Sequence, residues 1–556
     1  MGETFDFIVV GGGTSGCVVA SRLANAPSAP KVLLIEGGSA NDSPTLRTPE
    51  NRWSIVYTEP SINWGYKTTP QSHLNGRELG CPRGRGLGGS SAVNFSSWII
   101  GYQEDFNEWA GLVDDPCWKW EGRNGVKQRF RKIERVRDGI DDEQSKMVNR
   151  ELLNLHSKDG MVDLSYSQIW GGQELLAFKI AKELEIDING DPNSGNPSGM
   201  GIAPSTFFNG ARVTAFTAYL SSPPPNLTIL TNNVVAKVLF DDTKRAVGVS
   251  TLSGQVYYAS KEIILSAGAL DSPKILLLSG IGPADELSNL SIPVIQDLPG
   301  VGNNLIDHSL LFISFLLKPK AFQTGTQSTV SKDVGDPLLD TGSQASMAWL
   351  QSSAVLFSPE FYSLPESVKT HISKTCTHEL ICTNLAVGSL PPLRPDAEIL
   401  TLVAAIMNCQ SVGSVTLSSS DPSTLQVIDG AYLSHPYDRR VATEAVRGCL
   451  ELSRAPAAQG LIEEAIIAPK SDSEEDIREF CKEQGSCGLH FAGTCKMGKE
   501  RDGMCVVNNR FLVRGTKGLR VVDLSVAPLM MNNHTQSTCY LIGETAAEKI
   551  INEYGL

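Results

Sequence analysis

The chain has 556 residues, 41% of them hydrophobic and 20% charged, with a formal net charge of −13 at pH 7. That length exceeds what one hydrophobic core organises, which predicts two domains, and the composition excludes disordered and fibrous classes. The acidic balance argues against a nucleic-acid or anionic-membrane partner, because a general basic footprint is missing.

The first ten residues enter a strand almost at once, without a charged n-region or a long apolar core. No secretory signal is read there, and a cytoplasmic location is expected. Residues 5–10 are an apolar run that ends in Gly11-Gly12-Gly13-Thr14-Ser15-Gly16. A helical stretch follows at Cys17–Leu23, then a second apolar run, Val32–Ile35. Strand, glycine turn, helix and strand within about thirty residues make a βαβ unit with a buried parallel sheet. Residues 106–200 are polar, with clusters at Arg129–Lys132 and Asp141-Asp142-Glu143. Further strands are predicted at Leu227–Leu230, Val234–Phe240, Ala246–Leu252 and Glu262–Leu265. Phe312–Leu317 is apolar but too short to span a bilayer, and Lys318 ends it. The stretch 308–480 mixes apolar runs, loops such as Pro391-Pro392 and a helix over Arg439–Arg454, and a last strand is predicted at Leu519–Val522. Twelve cysteines are scattered without metal-ligand spacing, so neither a metal nor a disulfide framework is expected.

Gly11, Gly13 and Gly16 have the G-x-G-x-x-G spacing. Glycines there permit a tight turn and let backbone amides, including those of Thr14 and Ser15, approach a pyrophosphate at a positive helix N-terminus. Glu36 closes the second strand where a carboxylate can accept hydrogen bonds from ribose hydroxyls. This context predicts a dinucleotide and leaves FAD and NAD(P) both open.

Longer motifs carry a resemblance. Gly84 to Asn94 (GRGLGGSSAVN) resembles the first signature of the glucose–methanol–choline (GMC) oxidoreductase family, and Gly268–Pro273 with Ser279–Gly282 resembles the second. Asn63–Tyr66, Glu104–Phe106, Val301–His308, His490–Gly498, Leu519–Asp523 and Asn533–Gln536 follow the same pattern from end to end. The resemblance implies an α/β fold: a Rossmann-like FAD-binding domain (1–105, 200–307, 481–556) with an inserted α+β substrate-binding domain (106–199, 308–480). It implies FAD, with Gly11, Gly13 and Gly16 at the pyrophosphate and Glu36 at the adenosine ribose. Arg85, Gly88, Gly89, Ser90, Val93 and Asn94 would line the loop beside pyrophosphate and flavin. Val235 would meet adenine, and Asp523, Thr535 and Gln536 would close over the ribityl chain and pyrimidine edge. Some members link FAD through a histidine in the first loop; Ser90–Asn94 has none, so non-covalent FAD is expected.

The resemblance also selects His490 and His534 from eight histidines. A neutral imidazole near pKa 7 can take the hydroxyl proton of an alcohol, and a second donor can hold its oxygen. His490 is therefore expected as base and His534 as hydrogen-bonding partner, the latter similar to the aryl-alcohol oxidase and glucose oxidase branches. His308 is read as structural, and Cys495 and Met497 as packing; Met530 and Met531 either face the pocket or pack. The implied reaction is oxidation of an alcohol, aromatic or allylic and primary, with oxygen as acceptor. The alternatives are a dehydrogenase passing electrons to a quinone, or a non-redox lyase, cyclase or light-driven decarboxylase of the same fold.

Overall fold

A computed structural model describes residues 3–137, 140, 144–166, 172–319, 321, 345–384, 394 and 397–556. The acidic run at 141–143 and the Pro391-Pro392 loop lie outside the described residues.

The opening strand, Thr4–Val10, is the centre of the first layer. Phe7, Ile8 and Val9 have no exposed surface, as expected for a strand covered on both faces. It pairs in parallel with Val32–Ile35 on one side and with Val256–Leu265 on the other. The strand Leu227–Leu230 extends the parallel set beyond Val32–Ile35. The helices Thr14–Ala24 and Gln536–Tyr554 pack together against this sheet.

The strand Val256–Leu265 is longer than the apolar run within it, and it forks. Residues 258–265 pair in parallel with Thr4–Val10, and residues 263–265 also with Leu519–Val521. Its first residues pair in antiparallel fashion with Ala246–Thr251, which pairs onward with Val235–Phe240. Residues 256–261 escaped the sequence reading because this half is partly solvated and carries Ser260 and Lys261.

The second layer is an antiparallel sheet in the order Ser346–Leu350, His378–Thr383, Ile399–Ile406, Ser309–Leu317, Ile462–Ile467. The apolar run at 312–317 is thus an internal strand of this sheet, with the amphipathic helix Pro436–Arg454 packed against it. A two-residue strand, Ser486–Cys487, also pairs with Ser309–Leu317 and delivers the chain to His490.

Packing crosses the sequence intervals. Phe106, Trp109, Trp118, Trp120, Phe130 and Ile133 belong to the first hydrophobic core, together with Tyr540 and Leu541. Arg129 pairs with Glu548, and Lys549 pairs with Asp115, from the same C-terminal helix. Conversely Tyr66, Leu74, Leu79 and Cys81 pack in the second core with the strands 309–317 and 399–406.

Candidate active site

The turn that follows Thr4–Val10 has no space for side chains at Gly11 and Gly16. Gly11 has φ +100°, and a Cβ there would lie 2.4 Å from the Ser266 carbonyl oxygen; a Cβ on Gly16 would lie 2.0 Å from that of Gly11. Gly13 starts the helix Thr14–Ala24 without a side-chain cap or an acid in the first turn. Its leading amides and positive dipole end are therefore available to an anion.

Glu36 fastens two further loops to this turn. Its Oε2 accepts from the Gly12 amide at 2.8 Å, and its Oε1 from the amides of Gly38 (2.8 Å) and Gly86 (3.0 Å). Oε1 is thereby saturated, whereas Oε2 retains one acceptor site for a ligand hydroxyl. Gly89 brings the second glycine loop against Gly13, where a Cβ would lie 2.7 Å from the Gly13 Cα. The Arg85 guanidinium lies 4.9 Å above the Trp64 ring, and its buried Nε has no hydrogen-bond partner.

A cavity of about 460 Å³ runs from this turn to the two histidines. All the expected site residues line it except Gly16, which packs behind the turn, and Gly88, whose amide bonds the Gly12 carbonyl at 2.8 Å. Asn94 and Gln536 bond each other at 2.9 Å, and Asp523 accepts from Gly268, Ser272 and Ser525. The unfilled acceptor of Glu36, the uncapped helix, the unpartnered Arg85 Nε and the close-packed glycines together suit an adenine dinucleotide with its pyrophosphate over the turn.

At the far end the rings of His490 and His534 lie 5.5 Å apart between centroids. Leu489 precedes His490 in the left-handed region (φ +63°), where Arg83 donates to its carbonyl at 2.5 Å. Asp307 accepts from the His490 amide at 2.7 Å, the Gly488 amide at 3.0 Å and the Tyr432 hydroxyl at 2.5 Å. Burial, then the neighbouring His308, His534 and Arg83, hold His490 well below the ordinary imidazole range, so it is neutral.

His534 has the opposite bias. Burial pulls its pKa down, but the Glu379 carboxylate, 3.1 and 3.2 Å from its Nε2, outweighs burial and holds the ring above the ordinary range. The pair thus sets a neutral imidazole beside one biased toward the cation.

One neighbour of these histidines escaped the sequence reading, and another has a closer place than its sequence suggested. Glu379 sits fully buried in the apolar strand His378–Thr383, and a lone acid in such a run was its only signal. His308, read from the sequence as structural, has its Nδ1 2.8 Å from the Nδ1 of His490. Met530 and Met531 pack in the first core and do not line the cavity, and Cys495 and Met497 are core residues. All twelve cysteines are unpaired, and among the described residues no side-chain cluster could hold a metal and no helix is long and apolar enough to cross a membrane.

Two family models described as GMC oxidoreductase match residues 5–310 and 409–543. An alcohol dehydrogenase [acceptor] of Pseudomonas putida is 31% identical, over 99% of this chain and 96% of its own length. Pyranose dehydrogenase 2 of Leucoagaricus meleagris is also 31% identical, over 100% and 94%. Among solved structures, a fungal aryl-alcohol oxidase superposes with a TM-score of 0.84 at 25% identity, covering 100% of both chains. Pyridoxine 4-oxidase from Mesorbium loti gives 0.82 at 25% identity, covering 99% of each.

Proposed function

The chain belongs to the GMC oxidoreductase family, and on that premise we propose that it oxidises an alcohol to its carbonyl compound with FAD, His490 serving as the base. The observation that carries this reading is the pairing of a neutral His490 with a cation-biased His534 at one end of the cavity.

In this proposal Gly11, Gly13, Thr14 and Ser15 hold the FAD pyrophosphate and Glu36 the adenosine ribose. Val235 lies at the adenine, with Arg85, Gly89, Ser90, Val93, Asn94, Asp523, Thr535 and Gln536 toward the flavin. When bound, FAD supplies the acceptor for the hydride leaving the carbinol carbon. His490 takes the hydroxyl proton at Nε2, the nitrogen not engaged by His308, and His534 donates to the alcohol oxygen as negative charge develops there. The domain division belongs to the same proposal: a cofactor domain built on the first sheet, and a substrate domain built on the second.

Phe95, Leu489 and Phe491 line the cavity and support an apolar substrate, aromatic or allylic, over a sugar. Anaerobic bleaching of the flavin by a panel of alcohols and sugars tests this, and reduction by sugars alone would reverse it. For the acceptor, a His534 biased toward the cation favours a small molecule that gains negative charge in the cavity, and oxygen is the proposed one. A quinone-type acceptor is the second reading, supported by the dehydrogenases among the relatives. Reoxidation no faster than that of free flavin in oxygen, but rapid with a quinone, would establish the second.

FAD is proposed to be non-covalent, since Ser90–Asn94 offers no histidine for linkage. The purified protein should be yellow, and acid or heat precipitation should leave its flavin in the supernatant as FAD. Flavin retained in the pellet would refute this.

The Glu379–His534 pair predicts a pH dependence. The folded pKa of His534 is raised, so its protonated form and the stability it contributes persist below the ordinary imidazole value. Both are lost as pH rises through the raised folded value. Glu379→Gln removes the anion, and the alkaline limb of the flavin-reduction profile should move toward acid. An unmoved limb would show that His534 protonation does not support the reaction.

A further inference from the structure

His308 is the last residue before the strand Ser309–Leu317, and it is completely buried. Its ring stands nearly perpendicular to that of His490, at 86° with centroids 5.1 Å apart, and the two Nδ1 atoms are 2.8 Å from each other. Two nitrogens at that distance form a hydrogen bond only if one carries a proton and the other does not. Burial holds both rings below the ordinary imidazole range, His308 down to about 3, so neither is a cation at rest. The pair therefore shares a single proton between its Nδ1 atoms, and the two rings must be opposite tautomers.

We propose that His308 is a positioning residue that sets the tautomer of His490: its bare Nδ1 accepts the Nδ1 proton of His490 and leaves Nε2 of His490 unprotonated. This rests on the reading of His490 as base. In an imidazole, the hydrogen bond made by one nitrogen decides the state of the other. Were the arrangement reversed, His490 would carry its proton on Nε2 and could only donate to an alcohol.

The surroundings of His308 favour the proposed direction. Its Nε2 is buried and makes no hydrogen bond, while the Met531 backbone acts on the ring in the sense that favours a proton. With Nδ1 turned to His490, that proton belongs on Nε2. The adjacent carboxylate does not compete for His308, because Asp307 is occupied by the amides of Gly488 and His490 and by Tyr432. When His490 takes up a proton, its Nδ1–H bond to His308 becomes charge-assisted and so strengthens. That offsets the burial and the nearby His534 and Arg83, which all oppose a charge on His490. His490 can then become an imidazolium in a place that otherwise excludes one.

Ring-15N histidine in the oxidised holoenzyme reports tautomers directly through long-range proton–nitrogen correlation, with signals assigned by replacing His308 and His490 singly. The expected spectrum has His490 protonated at Nδ1 and His308 at Nε2; the reverse assignment overturns the proposal. In parallel, His308→Leu removes the acceptor. Flavin reduction at saturating alcohol should slow about 10–100-fold, the scale on which outer partners that orient an imidazole act, with a much smaller change in apparent alcohol affinity. His308→Asn, whose Oδ1 can stand where Nδ1 stood, should recover most of the rate. A wild-type rate in His308→Leu overturns the proposal. If the leucine variant does not fold, the wild-type spectrum decides alone. That spectrum also separates this proposal from the one it rests on, because an active His490→Ala would refute the base and leave the tautomers as measured.

Discussion

Replacing His490 by alanine is expected to slow reduction of the flavin by alcohol about 10²–10⁴-fold, the usual contribution of a positioned general base, while FAD content stays near that of the wild type. His490 is bound to the rest of the site through His308 and through the Asp307 contact to its amide, which alanine retains. None of its contacts reaches the glycine turn or Glu36, so the cofactor end of the cavity is left intact. Anaerobic stopped-flow bleaching measures the rate, and the visible flavin band against protein absorbance measures the content. Reduction at the wild-type rate with FAD bound would remove His490 as base. His534→Asn should have the smaller effect, because asparagine can still donate to the alcohol oxygen. It also leaves the buried Glu379 carboxylate with a neutral partner, so some loss of stability should accompany it. Complete loss of reduction in a folded His534→Asn would make His534 the proton acceptor.

Gly16→Ala should abolish FAD binding. The added methyl carbon would fall 2.0 Å from the Gly11 carbonyl oxygen and 3.1 Å from the Ser266 Cβ, and the first of these neighbours is backbone that cannot rotate away. The turn and the start of the helix Thr14–Ala24 would have to separate, displacing the amides proposed to hold the pyrophosphate. The protein should emerge colourless or insoluble. Gly13→Ala is the informative companion, because its methyl would come no nearer than 3.8 Å to any atom outside the neighbouring residues, and its φ of −75° suits alanine. That variant should fold and still bind FAD more weakly, since Gly13 is where a pyrophosphate is proposed to approach the backbone. Unchanged FAD affinity in Gly13→Ala would place the pyrophosphate elsewhere, and a yellow, stable Gly16→Ala would show that the turn yields.

Sequence alone made the βαβ unit legible, because its signals are local: an apolar run, glycines at fixed offsets, a helix and an acid, all within 36 residues of the start. The same holds for the strand Leu227–Leu230, a short apolar run, and for the helix around Arg439–Arg454, whose one buried face leaves a periodicity that can be read directly. Most residues that line the cavity, His490 and His534 among them, were legible through the motifs of the GMC resemblance. Tertiary structure alone decided what stands behind those histidines. Glu379 and His534 are 155 residues apart, and His308 and His490 are 182 apart. Nothing in the spacing of either pair implies contact; only the register of the antiparallel sheet and the return of the chain through Ser486–Cys487 bring them within hydrogen-bond distance. The same is true of residues 106–133, whose polar sequence points to a separate lobe although their buried tryptophans and phenylalanines share a core with the C-terminal helix. A sequence specifies which side chains can pair or pack, but the partner each one finds depends on strand register and chain path, which arise only when the whole chain folds.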